Sequence, residues 1–176
     1  MRLFIALNFN EKMKLDLYSV INRLEKFSLS GNFTRFENLH LTLHFLGETS
    51  NVSGVKSAME KIDLPSFTLN FRGLGTFKRS GGDIYWIGAD FSKPLNDLHL
   101  SLADALAEKG FSPEGGRFKP HLTLGRRVVL KENFNKREFE KLMPPLSAYM
   151  DRTSLMKSER INGKLTYTEI YGKNLK

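Results

Sequence analysis

The tetrapeptide His-Leu-Thr-Leu occurs twice, as His40-Leu41-Thr42-Leu43 and as His121-Leu122-Thr123-Leu124, once in each half of the chain. The two copies use two of the four histidines. A β-strand sends alternate side chains to opposite faces. If each copy is a strand, His and Thr share one face and the leucines pack into a core on the other. Two such strands brought together would aim two imidazoles and two hydroxyls at one point. Imidazoles near their unperturbed pKa of about 6.5 can divide the work of base and acid, and hydroxyls can donate to growing charge. That set suits acid–base chemistry on an anion such as a phosphodiester.

The elements that must position these strands follow from pattern and punctuation. Arg2 to Phe9 reads as a buried strand, and Asn10 as the cap of a helix from Glu11 to Phe27. Leu17, Val20, Ile21, Leu24 and Phe27 form the apolar stripe of that helix. Gly31-Asn32 predicts a turn, and Asn38 to Leu46 the first His-Thr strand, ended by Gly47. Ser50 is the expected cap of a second helix carrying Val52, Val55, Met59 and Ile62, which Pro65 terminates. Phe67 to Phe71 alternates as a strand, and Ile84 to Ile87 follows the turn-rich stretch 78–83. Leu95, Leu98, Leu102 and Ala105 stripe a third helix that Gly110 should cap. Pro120 precedes the second His-Thr strand, which Gly125 is expected to end. A short helix near Lys136 to Leu142, then strands near Leu146 to Lys157 and Leu165 to Tyr171, complete the chain. The order strand–helix–strand–helix–strand appears about twice with no Pro-, Gly- or Ser-rich linker between. The expectation is one bilobal α+β unit over residues 1–176 with an approximate internal duplication.

Composition narrows the classes of function. There is no cysteine, which removes disulfides, thiolate metal sites and a cysteine nucleophile. The short apolar start, Leu3 to Leu7, is followed at once by polar residues and reads as a strand rather than a leader. No apolar run approaches the roughly 20 residues of a membrane span. The expectation is a soluble cytoplasmic monomer without membrane contact. A formal net charge of +8 favours polyanionic partners, chiefly nucleic acid or nucleotides.

The chain resembles the 2H phosphoesterase superfamily, and within it the RNA 2′,3′-cyclic phosphodiesterases known as 2′-5′ RNA ligase-like proteins. The resemblance rests on Arg2 to Leu7, on Glu37 to Gly47, on Gly75-Thr76-Phe77 with Ile84 to Gly88, and on Pro120 to Arg126. Leu155 to Ser158 and the Gly163 to Tyr167 hairpin add to it. One His-x-Thr-x is a weak signal, whereas two with these flanks are a strong one. In one departure, Phe33 stands seven residues before His40, where the family often has Trp. The resemblance implies two pseudo-symmetric lobes, each an antiparallel sheet with covering helices, around a central groove. It implies His40 as proton donor to the leaving 3′ oxygen, His121 as proton acceptor from water, and a 2′-phosphomonoester product. Thr42 and Thr123 would donate to the non-bridging oxygens and Arg126 would add a charge-assisted contact. No metal or other cofactor is implied. The expected partners are RNA with 2′,3′-cyclic phosphate ends or cyclic nucleotides, and 2′-5′ joining would be the reverse reaction.

Other residues have plainer readings. Thr is a good strand former, and a lone strand His is usually structural. By period two His44 shares the face of His40 and could border the cleft, although a packing or solvent role is the stronger expectation for it. His99 lies within a leucine-striped helix. Lys78-Arg79 and Arg117-Phe118-Lys119 could guide a backbone, though charge runs are more often solvated loops. Phe33, Phe36, Phe45, Phe77 and Phe118 are candidates to stack on a base, with Phe33 and Phe45 foremost. Three rivals remain. A metallohydrolase would use His40, His44 and His121, but Leu41 stands where the zinc-helix motif places Glu. A non-catalytic RNA-end-binding module would use the same groove without turnover. An ATP-dependent ligase would need a Gly-x-x-x-x-Gly-Lys-Ser/Thr loop, which the sequence lacks, and Gly73-Leu74-Gly75 is without the third glycine of a dinucleotide loop.

Overall fold

The computed structural model describes residues 1–112 and 118–176. Two antiparallel sheets form the frame. The first, in spatial order β3-β1-β8-β9, contains β1 (Arg2–Asn8), β3 (His40–Glu48), β8 (Arg152–Ile161) and β9 (Lys164–Asn174). The second runs β2-β6-β5-β4-β7, with β2 (Ser28–Phe33), β4 (Phe67–Phe77), β5 (Asp83–Ala89), β6 (His121–Leu130) and β7 (Leu146–Met150). Each motif strand therefore lies in its own sheet, as the resemblance implies.

The halves of the sequence do not map onto the two lobes. The last two strands return to pair with β1, and β2 leaves the first half to pair with β6. Helices are exchanged as well. Helix α1 (Glu11–Lys26) follows β1 of the first sheet but packs against β2 and β7 of the second. Helix α3 (Lys93–Ala107) follows β5 of the second sheet but packs against β3 and against α2 (Val52–Glu60) of the first. One hydrophobic cluster consequently runs through both lobes, from Leu7, Leu17 and Leu41 to Ile87, Leu98, Leu122 and Leu124. Burying a leucine fully contributes about 1.5–3 kcal/mol, so the alternate leucines of both motifs anchor their strands firmly.

Several local expectations change. Gly31-Asn32 lies inside β2, because the strand pairs irregularly with β6 and shows no apolar alternation. The second helix is capped by the side chain of Asn51, which accepts from Gly54 N at 2.9 Å, and not by Ser50. Strand β4 continues to Phe77, paired with β5 along its second half. Helix α3 ends at Ala107, and Gly110, with φ +81°, stands two residues past the C-cap Glu108. The stretch 146–157 is two strands that part at Asp151 and belong to different sheets. Gly125 does not end β6, which runs on to Leu130. Gly125 is required for a different reason: a Cβ there would stand 3.0 Å from Cδ1 of Phe33 and 2.9 Å from Cγ2 of Val128.

Candidate active site

The two motif strands face one groove of about 990 Å³ between the lobes. Its lining includes His40, Thr42, His121, Thr123, Arg126, Phe33 and Phe45, so every site residue expected from sequence reaches the same space. Leu41, Leu43, Leu122 and Leu124 are buried behind them.

Each imidazole is fixed in the same way. Nδ1 of His40 lies 2.7 Å from the Asn38 carbonyl oxygen, and Nδ1 of His121 lies 2.7 Å from that of Lys119. A carbonyl can only accept, so Nδ1 carries the proton and Nε2 is the nitrogen left for a ligand. Two aromatic rings flank each histidine. Phe4 and Tyr167 stand 4.9 and 5.2 Å from the His40 ring, and Phe77 and Trp86 stand 5.2 and 5.9 Å from that of His121. Lys119 covers the second pair, its Nζ 4.6 Å from the Trp86 ring.

Burial drives the electrostatics. Desolvation pulls His40 from 6.5 down to about 4; its bond to Asn38 opposes the drop, and the charges of Arg126, His121 and Lys14 add to it. His121 is also lowered, first by burial, then by Arg126 and Lys119, against its bond to Lys119 O. Arg126 therefore acts on both histidines, and a proton on His121 disfavours one on His40. Such a pair favours one proton at a time.

Period two fails at the fourth residue of each motif. Ile5 and Ala6 of β1 pair with His44 and Thr42, which leaves Leu43 as a bulged residue. Tyr85 and Trp86 of β5 pair with Gly125 and Thr123, which bulges Leu124 in the same way. Beyond each bulge the parity reverses. His44 turns inward, is 5% exposed, and stacks on His99 with centroids 4.2 Å apart and planes 6° from parallel. Phe45 takes the groove side that His44 would have held. The set His40, His44 and His121 does not converge, and among the described residues no three or more His, Cys, Asp or Glu side chains gather as metal ligands.

The remaining candidates divide clearly. Phe36 packs against Tyr18 outside the groove, and Phe118 stacks on His99 at 3.8 Å. Arg79 lines the groove, whereas Lys78 pairs with Asp83 at 2.8 Å. Arg117 lies outside the described residues. Sequence reading missed Arg2, Arg35, Arg127, Arg160 and Lys164, which also line the groove; among the described residues no Asp or Glu does. Arg35 and Asn38 both donate to the Leu165 carbonyl, tying the β8–β9 hairpin to the turn before β3. These contacts join segments 130 and 127 residues apart, and no spacing along the chain could have announced them.

The 2′-5′ RNA ligase superfamily model matches residues 14–162. The chain belongs to that family. It is 32% identical to an RNA 2′,3′-cyclic phosphodiesterase of Thermotoga maritima, over 90% of this chain and 87% of that one. It is 31% identical to a protein of the same name from Archaeoglobus fulgidus, over 72% of each chain. The fold is similar to that of E. coli LigT complexed with 3′-AMP, with a TM-score of 0.81, 27% identity, and coverage of 99% and 97% of the two chains. No helix among the described residues is long and apolar enough to cross a membrane.

Proposed function

We propose that this protein hydrolyses the 2′,3′-cyclic phosphate of RNA ends or nucleotides to a 2′-phosphomonoester, using His40 and His121 as the acid–base pair. The observation that carries the reading is the matched pair of imidazoles, each with Nδ1 held by a backbone carbonyl at 2.7 Å, on one groove. His121 Nε2 takes a proton from water as its oxygen attacks phosphorus. The P–O3′ bond breaks, and His40 Nε2 gives its proton to the departing 3′ oxygen. Thr42 and Thr123 donate to the non-bridging oxygens, and Arg126 offsets the charge gathered there. Phe33 and Phe45 offer faces to a base. In the reverse direction the same groups would join a 2′-phosphate end to form a 2′-5′ linkage.

One contact supports these roles. Thr42 Oγ1 lies 3.0 Å from His40 Nε2. While His40 is neutral, the hydroxyl must donate to that nitrogen; once Nε2 is protonated, the hydroxyl is released to donate to phosphate. The low proton affinity of His40 is countered by substrate itself, because a phosphate anion beside it raises the pKa. The reading takes residues 1–176 as one bilobal unit acting as a cytoplasmic monomer, without a metal.

The test is incubation with a 2′,3′-cyclic nucleotide in excess EDTA, followed by assignment of the product isomer. Turnover to the 2′-phosphomonoester is expected. Binding without turnover would favour the RNA-end-binding module, a 3′-phosphomonoester would overturn the choice of leaving oxygen, and rescue only by added zinc would restore the metal-site reading.

A further inference from the structure

We infer that Arg127 forms a second phosphate subsite, which holds the next phosphodiester of an RNA strand whose cyclic end lies at the two histidines. The inference rests on the activity proposed above. Arg127 has φ +53° within β6, a left-handed conformation that is uncommon for a residue other than Gly, Asn or Asp. Four residues of β6, from Gly125 to Val128, there face three of β5, from Asp83 to Tyr85. The irregularity turns Arg126 and Arg127, neighbours in sequence, onto the same exposed side of the strand, and both line the groove. A regular strand would have sent one of them to each face.

The chain makes room for this kink. Gly82, with φ +111°, lies against the Arg127 backbone, where a Cβ would meet the carbonyl carbon at 2.6 Å. In the other lobe the left-handed position near the end of β3 is filled by Gly47, with φ +70°. Glycine would serve the backbone of β6 equally well, so an arginine held there at a conformational cost points to a task for its side chain. Among the described residues Arg127 has neither an ion-pair partner nor a side-chain hydrogen bond, whereas Arg35 and Arg160 are both engaged with carbonyls. Thr123 and Arg127 are four residues apart, at most about 13 Å along a strand. That separation suits the continuing backbone of a strand better than the terminal phosphate at Thr123. The subsite therefore recognises chain length, not the reacting group.

The test compares kcat/KM for a 2′,3′-cyclic mononucleotide with that for a short oligonucleotide ending in the same cyclic phosphate, in wild type, Arg127→Asn and Arg127→Lys. Asn tolerates the left-handed backbone, so the fold should survive the loss of charge. The expected result is a roughly tenfold fall for Arg127→Asn on the oligonucleotide, a much smaller fall on the mononucleotide, and retention of most of the preference in Arg127→Lys. The slope of log(kcat/KM) against log[salt] for the oligonucleotide should become shallower by about 0.7, the loss of one single-strand phosphate contact. Gly82→Ala, which displaces the kink without altering any charge, should reduce the same ratio. An equal fall on both substrates, or an unchanged ratio and salt slope, overturns the subsite. If wild type turns over neither substrate, the proposed activity itself fails, a result distinct from either.

Discussion

Strands β3 and β6 carry the same four residues, the same carbonyl brace at 2.7 Å and the same bulge at the fourth position. They diverge immediately afterwards. At the fifth position β3 has His44, packed on His99, where β6 has Gly125, over which the Phe33 ring lies. At the sixth, Phe45 faces the groove from one side and Arg126 from the other. At the sixth position the duplicated frame thus presents an aromatic ring from one strand and a guanidinium from the other. A symmetric pair of histidines needs such an asymmetry, because acid and base must differ in proton affinity. His40, between Phe4 and Tyr167, is driven down to about 4 by burial. Burial by itself disfavours the acid's proton there, so the proposed role depends on a phosphate anion beside it to raise that affinity.

The sharpest way to break the comparison is to remove each histidine in turn. His40→Ala and His121→Ala should each lower turnover by roughly a hundredfold or more, the scale of lost general acid–base catalysis. Steady-state kinetics on folded variants, checked by circular dichroism, measure this. Near-full activity in either variant would take that histidine out of the mechanism and leave the two strands unequal in function.

The pH profile sharpens the comparison. With one histidine protonated and the other neutral, kcat/KM should follow a bell whose limbs belong to the coupled pair. Residual activity in His40→Ala should lose the alkaline limb, since no acid remains to be deprotonated. In His121→Ala it should lose the acidic limb, since no base remains to be protonated. Limbs lost in the opposite order would keep both residues in the mechanism and exchange donor with acceptor.

Period-two alternation places His40, Thr42, His121 and Thr123 on one face because Leu41, Leu43, Leu122 and Leu124 demand the other. It fails at His44 because a bulge depends on how β1 and β5 pair, not on the residues of the bulged strand. Strand β2 is hidden for a related reason: Ser28 to Phe33 has no apolar stripe, and its strand character comes from hydrogen bonding to β6. The exchange of helices between lobes is equally silent, since an amphipathic helix records that it is covered but not by which sheet. The cationic rim of Arg2, Arg127, Arg160 and Lys164 comes from β1, β6, β8 and β9 and exists only after folding.

The smallest effect on turnover, and the clearest separation of the two strands, is expected at His44. Its Nε2–H donates to the His99 carbonyl at 2.9 Å, its ring stacks on that of His99, and burial lowers the pKa of both imidazoles. His44 has no place on the groove, so His44→Ala should keep turnover within about fivefold of wild type while costing about 2–4 kcal/mol of stability. Urea unfolding at fixed pH measures the second quantity. The sign of the pH effect follows from the lowered proton affinity. Above the unfolded value of about 6.5 both forms of the chain hold His44 neutral, and its packing contributes fully. As pH falls below that value the unfolded chain binds the proton first, so stability declines with acid. In His44→Phe, which keeps a stacked ring but cannot titrate, the decline from pH 7 to pH 5 should be shallower than in wild type. If His44→Ala instead loses as much turnover as His40→Ala while fully folded, the fifth position of β3 belongs to the chemistry, and His40 and His121 are the wrong pair.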